Sequence, residues 1–339
     1  MPPGLEGGVL ARDLKVAGSR WSKGRRLSAA DLAALAAEPP ADRAVSVLLA
    51  EPGEIHEDEA ALRLAAAIRR DDPGTTLRGP SESRVDLVAA VPGVVEISLR
   101  DLERLNRLDP LEVFTVFDGQ TVAPGDLVAS VKVGPHLVPE SIVAAGEALA
   151  RRANRIVRVR PFRRDLPIAV LVRESISGTA RERFETAVRD KIEGLGARLL
   201  SIQYLPDSAD AVTAALRDLT TGRRRAAIVL TAGGGTTDPA DPFFVAVEAL
   251  GGRFIRHGVP AHPGSMGWLA TIGRTAVVGL PSCGAYSKAT AADLLLPRLV
   301  AGQPASAGTV AKLGHGGILN RHQRFRFPAY ARSLEAPEG

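Results

Sequence analysis

The sequence predicts an α/β fold: a three-layer α/β/α domain with a mainly parallel sheet, preceded by an N-terminal α+β region. Three observations predict it. Between residues 167 and 301, short apolar runs alternate with longer stretches of helical spacing, the order of a parallel sheet crossed by helices on both faces. Several of the runs are apolar throughout, as strands buried on two faces are. Aromatic residues make up only 4% of the 339 positions while hydrophobic residues make up 45%, so the core is expected to be Val, Leu, Ile and Ala.

In the second half the elements follow in order. Ile168–Val172 reads as a buried strand, and Thr179–Leu195 as a helix closed by Gly194 and Gly196. Arg198–Leu205 is strand-like, and Asp207–Thr220 is helical, opening on Asp or Ser caps and ending at Gly222. Ala226–Thr231 is a second apolar strand. Asp241–Leu250 is a helix stopped by Gly251-Gly252. Phe254–His257 and Ala276–Gly279 read as short strands, and Lys288–Val300 as the last long helix. A ligand of such a sheet is expected at the carboxyl ends of its strands, near a switch point.

Residues 1–160 are less regular and read as α+β, with a small β subdomain within 1–40. Val9–Val16 and Trp21–Leu27 suggest β structure, and Ser28-Ala-Ala-Asp31 opens a helix as a capping box does. Glu57–Arg70, Leu99–Arg107 and Pro139–Arg152 read as helices, and Pro124-Gly125-Asp126 as a turn between strands. Arg155–Arg164 reads as an edge strand leading into a linker. The expected organisation is therefore 1–160, a domain over 167–301, and an extension over 302–339.

Composition narrows the function classes. A formal charge of +5 permits an anionic ligand without demanding nucleic acid, and none is expected. One cysteine excludes a disulfide framework and a thiolate zinc site. The first thirty residues lack the apolar core of a signal peptide, and no run approaches the roughly 18–20 residues of a membrane span. The expectation is a cytoplasmic protein.

Three loops carry the candidate chemistry. In Thr231-Ala-Gly233-Gly234-Gly235-Thr236-Thr237-Asp238-Pro-Ala-Asp241 a buried strand runs into three glycines. Glycine lets the backbone approach a ligand, and successive N–H groups before a helix make an anion-binding concavity. The spacing is neither a Walker A loop nor a dinucleotide fingerprint. Asp241 before Pro242 is equally an N-cap arrangement, so capping and acid/base chemistry stay open for it. The second loop holds Pro263, Gly264 and Ser265; the third holds Pro281, Ser282 and Cys283. Each follows a strand, so a parallel sheet would bring them to one rim.

On these residues, 167–301 resembles the molybdopterin-binding domain of molybdenum-cofactor biosynthesis proteins, among them the molybdopterin molybdenumtransferases and adenylyltransferases. The family's glycine-rich pattern stands here as Thr231–Asp241, with Gly233 and Gly234 on the paired glycines, Thr236 on a hydroxyl position and Asp241 on the acidic one. Pro263-Gly264 matches the Pro-Gly of the next loop, and Gly279-Leu280-Pro281 the opening of the third. Two departures stand out. Ser265-Met266 replace the transferases' Lys-Pro, and Ser282-Cys283-Gly284 replace Gly-Asn-Pro. The missing lysine speaks against molybdate insertion and places the chain nearer a branch that binds molybdopterin without being transferase-like. That branch also matches Gly8–Leu14, Trp21–Gly24 and His56–Glu59.

The resemblance implies a fold of molybdopterin-binding type. Its ligand would be molybdopterin or the finished molybdenum cofactor, a pterin phosphate held by Thr231, Gly233, Gly234, Gly235, Thr236, Thr237, Asp238, Pro263, Gly264, Ser265, Pro281, Ser282 and Cys283. Asp241 would be the catalytic carboxylate, with no protein metal site. The role implied is cofactor biosynthesis or delivery, with molybdoenzymes or other biosynthesis proteins as partners and a homo-oligomer compatible with rims shared between subunits. One alternative is an enzyme that inserts molybdate or transfers a nucleotide, with Mg²⁺ bridging anions near Asp241. Another is a carrier or regulatory domain without catalysis.

Other residues carry two readings each. His56-Glu57-Asp58-Glu59 suits a solvated first helical turn, or a metal or substrate contact. His257 and His262 flank the Pro-Gly loop as solvent contacts or phosphate ligands. Cys283 is a small apolar filler or a nucleophile. Gly314-His-Gly-Gly317 reads as a turn that either stays clear of the ligand or reaches it.

Overall fold

The computed structural model describes residues 4–38, 44–153, 155–173, 176–223, 225–234, 237–280 and 289–332. The chain forms two compact units, one of residues 1–91, 95–118 and 123–159 and the other of 92–94, 119–122 and 160–339.

The first unit is built on helix α1 (Glu57–Arg69), strands β1 (Thr75–Ser81), β2 (Arg84–Ala89), β3 (Leu111–Thr115) and β4 (Leu127–Val133), and helix α2 (Glu140–Arg152). The strands form an antiparallel sheet in the order β1-β2-β4-β3. Helix α1 buries Ala60, Ala61, Leu64, Ala65 and Ile68, a helical stripe of small and branched residues. Gly146 admits α2 closely, because a Cβ there would lie 2.8 Å from Leu111 and 3.2 Å from Leu64. A smaller cluster of Leu10, Val16, Leu27 and Leu35 sits under the N-terminal strands. The helix Ala29–Ala37 there opens on the capping box expected at Ser28 and Asp31.

The His56–Glu59 segment, with its three acidic residues, is not a solvated turn throughout. His56 is 4% exposed and caps α1: its Nδ1 accepts from the Asp58 N–H at 3.2 Å, and its Nε2 bonds the Gly24 carbonyl at 2.7 Å. That pattern requires the neutral Nε2–H tautomer and uses both ring nitrogens. Glu57 is also buried, 2.8 Å from His136 Nδ1. These residues lock the helix start to a neighbouring turn, and both His56 nitrogens are occupied in doing so.

The second unit runs β5 (Pro167–Val172), α3 (Gly178–Glu193), β6 (Arg198–Tyr204), α4 (Ala209–Thr221), β7 (Ile228–Ala232), α5 (Pro242–Ala249), β8 (Arg253–His257), β9 (Trp268–Ile272), β10 (Thr275–Gly279) and α6 (Ala291–Val300). The six strands lie in the order β6-β5-β7-β10-β9-β8. β6, β5, β7 and β10 are mutually parallel, whereas β9 is antiparallel to both β10 and β8. The sheet is thus an α/β sheet with a parallel body, as expected, plus an antiparallel strand at Trp268–Ile272 that the sequence pattern did not announce.

Alternation along β5 shows why three layers form. Ile168, Val170 and Val172 face one side, packing with Phe184, Val188 and Ile192 of α3 and Leu294–Leu296 of α6. Ala169 and Leu171 face the other, packing with Val212 and Leu216 of α4 and Phe243 and Val247 of α5. Residues beyond 301 join the first face through Val310, Leu313, Leu319 and Phe327. Short pieces of the earlier chain belong to this unit as well, with Gly93–Val94 pairing antiparallel to Thr121–Val122.

Candidate functional site

The strand order decides where the loops go. β5 sits between β6 and β7, so the chain leaves β5 to one side, returns, and continues on the other. This makes the gap between the carboxyl ends of β5 and β7 the switch point of the sheet. β8 and β10 are both antiparallel to β9, hence parallel to each other, so the segment after β8 emerges on the same rim. The glycine-rich loop and the Pro-Gly loop are therefore on one edge, as expected.

Hydrogen bonds tie the rim together at its base. The Leu280 N–H donates to the Thr231 carbonyl at 2.8 Å, joining the third loop's root to the first's. Gly267, which ends the second loop, stands against Gly279, where a Cβ would come 3.1 Å from the Gly279 carbonyl. The Ala291 N–H donates to the Pro263 carbonyl at 2.9 Å, fastening the Pro-Gly loop to the start of α6. Gly264 has φ +111°, and a Cβ there would be 2.8 Å from the Ala291 nitrogen, so only glycine suits the position. The Gly314–Gly317 turn does reach this loop: the His262 N–H donates to the Gly317 carbonyl at 2.7 Å, and Leu319 returns a bond to the His262 carbonyl at 2.8 Å.

Several expected contacts can be placed. Thr231 is buried near the end of β7, Gly233 takes φ +92°, and Gly234 is half-buried. Thr237 and Asp238 are exposed, and Asp238 Oδ1 accepts from the Ala240 N–H at 2.9 Å, an Asx turn leading into α5. Pro263 and Gly264 are buried, while Ser265 is half-buried. Gly235, Thr236, Pro281, Ser282 and Cys283 lie outside the described residues. Among the described residues, the N–H groups of Gly233, Gly234, Gly264 and Ser265 donate no hydrogen bond. Two loops thus present unused main-chain donors on one rim.

Asp241 is 3% exposed and engaged through both carboxylate oxygens. Its Oδ1 accepts from the Phe243 N–H at 2.9 Å, capping α5 with Pro242 in the first position. Its Oδ2 meets Arg173 Nη2 at 2.6 Å. The carboxylate also stands under the glycine-rich loop, because a Cβ on Gly234 would lie 3.0 Å from Asp241 Oδ2.

Arg173 is the residue that sequence reasoning missed. It follows β5 directly, and its N–H donates to the Ala232 carbonyl at 2.9 Å, across the switch point. Its guanidinium also pairs with Asp207, at the end of the loop that leads into α4, and lies 5.7 Å from the Phe243 ring centre. Its Nε is buried without a hydrogen-bond partner. The signal was available: a charge placed immediately after an apolar run marks the carboxyl end of a buried strand.

The two histidines beside the Pro-Gly loop diverge. His257 stacks on Phe254 with centres 4.6 Å apart, within an aromatic group that includes Phe244 and Trp268. His262 is exposed and contributes through its backbone. Among the described residues no group of three His, Cys, Asp or Glu side chains is arranged to hold a metal ion. No helix among them is long and apolar enough to cross a membrane. A separate cavity of about 670 Å³ lies at the opposite edge of the sheet, lined by Arg198, Leu200, Arg223 and Arg225.

The fold and rim define an α/β domain that presents backbone donors at the switch point of a parallel sheet. Residues 168–301 match the family model described as "probable molybdopterin binding domain". Among solved structures, the molybdopterin biosynthesis enzyme MoaB from Thermus thermophilus is 20% identical, covering 42% of this chain and 99% of that one, with a TM-score of 0.30. A molybdenum cofactor biosynthesis protein B is 15% identical over 45% of this chain and 93% of that one, with a TM-score of 0.28. The molybdopterin biosynthesis MoeA protein from Pyrococcus horikoshii is 13% identical over 77% of this chain and 81% of that one, with a TM-score of 0.29. No curated protein matches the chain.

Proposed function

We propose that the second unit binds molybdopterin, the pterin dithiolene phosphate, or the finished molybdenum cofactor, and serves its biosynthesis or delivery. The observation that carries this reading is the pair of loops with unused N–H donors on one rim, in a domain that matches the molybdopterin-binding family. The donor set suits such a ligand. Gly233, Gly234, Gly264 and Ser265 offer N–H groups, and Arg173 Nε and Trp268 Nε1 are buried donors without hydrogen-bond partners, which favour a ligand rich in acceptors. A phosphate and a pterin ring supply acceptors and a flat face.

In this reading the glycine-rich loop cradles the phosphate or pterin edge, and the Pro-Gly loop forms the opposite wall. Thr237 adds a hydroxyl, as would Thr236 and Ser282 from the flanking segments. Bound molybdopterin supplies the dithiolene sulfurs on which molybdenum is carried. Asp241 acts through Arg173 and through the cap of α5, fixing the height of the loop above the sheet. Any catalysis would rest on positioning and charge stabilisation. Mg²⁺ enters only if the chain transfers a nucleotide or inserts molybdate, where it would accompany the anionic substrates.

Purified full-length chain incubated with molybdopterin, molybdate, Mg²⁺ and ATP separates the roles. Binding without consumption of any ligand supports a carrier, and turnover supports an enzyme. Failure to bind either pterin or nucleotide removes both.

A further inference from the structure

Arg173 bridges two aspartates of opposite character. Asp241 is 4% exposed at its side chain and Asp207 is 72% exposed, with Arg173 itself at 13%. The Asp241 bond is part of the loop's foundation, since the same carboxylate caps α5. Asp207 is anchored differently: its carboxylate pairs with Arg173 from the solvent side, and it sits just before Ser208, the N-cap of α4.

The position of this pair is specific. Arg173 lies at the carboxyl end of β5, hydrogen-bonded through its backbone to the end of β7, and its guanidinium holds the same Asp241 oxygen that a Cβ on Gly234 would approach to 3.0 Å. An anion reaching the unused Gly233 and Gly234 amides therefore arrives at Arg173. A solvent-exposed ion pair is worth only about 0–1 kcal/mol, so its carboxylate exchanges readily for another anion. Guanidinium forms strong, forked bonds to phosphate.

We propose that Asp207 occupies, as an internal stand-in, the seat that Arg173 offers to a phosphate monoester, and that the ligand's phosphate displaces Asp207 while the buried Asp241 pair stays in place. This rests on the reading of the rim as a pterin-phosphate site and names the residue that grips the phosphate. Arg173 is then a binding residue, and Asp207 a competitor that sets the affinity.

The test uses the full chain, with 6-hydroxymethylpterin phosphate and its dephosphorylated form as probes in calorimetric titration. D207N is expected to bind the phosphorylated probe about two- to fivefold more tightly, the factor that an exposed pair's energy converts to. R173Q is expected to bind it at least about tenfold more weakly. D207N should bind the dephosphorylated probe as the unsubstituted chain does. Opposite signs for the two variants are what a merely structural pair does not give, and D207N alters an exposed side chain, so it keeps the test sound if R173Q folds poorly. If D207N weakens binding, or if both probes change equally, the seat does not exist although the pocket reading stands. If the unsubstituted chain binds neither pterin, the pocket reading falls, and inorganic pyrophosphate becomes the probe. Tighter pyrophosphate binding by D207N and loss in R173Q would then support the seat, and absence of binding by D207N would overturn it.

Discussion

Arg173 and Asp241, 68 residues apart in the chain, meet at 2.6 Å where the first and third parallel strands of the second unit end. The pair joins the strand end to the cap of α5 and holds the glycine-rich loop between them. One contact therefore links the topology of the sheet, the stability of a helix and the floor of the candidate site.

Substitutions at Asp241 separate its two bonds. Asp241→Ala loses both and leaves a buried guanidinium, which typically costs about 3–5 kcal/mol. Asp241→Asn keeps an acceptor for the Phe243 N–H and should be milder by about 1 kcal/mol, the worth of a cap. Urea denaturation of the two variants measures the difference. Equal losses would mean that the cap contributes nothing.

Glycines on the rim differ in what they tolerate. Gly264→Ala meets both a φ of +111° and an overlap with Ala291, and is expected to cost about 2–3 kcal/mol. Gly273→Ala, at φ +55° in the turn between β9 and β10 with open space around it, should cost about 1 kcal/mol. Thermal unfolding ranks them, and a milder loss at Gly264 contradicts the packing of that loop on α6.

In the first unit, the Arg25 guanidinium and the Ser28 N–H hold the Asp31 carboxyl at about 2, below its ordinary 3.8. A depressed folded-state value means that the ionised form is favoured by folding. The resulting stability is complete above 3.8 and is lost as pH falls through about 2. The stability gap between the unsubstituted chain and Asp31→Asn should therefore be constant from neutral pH down to that range and shrink below it. A gap that persists undiminished at the lowest pH would show that ionisation is not its source.

Lys191 of α3 and Asp293 of α6 are 3% and 1% exposed and form an ion pair on the face shared by both helices. Asp293 also closes the capping box with Thr290. Lys191→Met strands a buried carboxylate and should destabilise by about 3 kcal/mol or more in denaturant titration. A near-neutral outcome would place water or another cation at Asp293.

The second unit was legible because buried parallel strands are continuous apolar runs. Ile168–Val172 and the run ending at Thr231 stand out between polar helices, and glycines mark the helix ends. Trp268–Ile272 was not legible, because its neighbours are loop residues on one side and a tight Gly273 turn on the other, and a five-residue strand between them carries no period of its own. The first unit's antiparallel strands are short and partly polar, so its helices, the Ser28 capping box, the β structure within 9–16 and the turn at 124–126 were readable, and most of its other strands were not. The rim's loops were found by their glycines and prolines. Arg173 was missed because the pairing that gives it meaning, with Asp207 and Asp241, depends on strand order. The pairing of Gly93–Val94 with Thr121–Val122 is likewise a tertiary fact that no local pattern encodes. His56 looked like a polar helix start, and its burial follows from the approach of Gly24.

The most direct test of the central claim is amide hydrogen exchange of the full chain with and without molybdopterin. Slowed exchange confined to residues 231–241 and 259–267 is the predicted result, since those loops hold the unused donors. Protection at the opposite edge of the sheet, around Arg223 and Arg225, or no protection with saturating ligand, would contradict it.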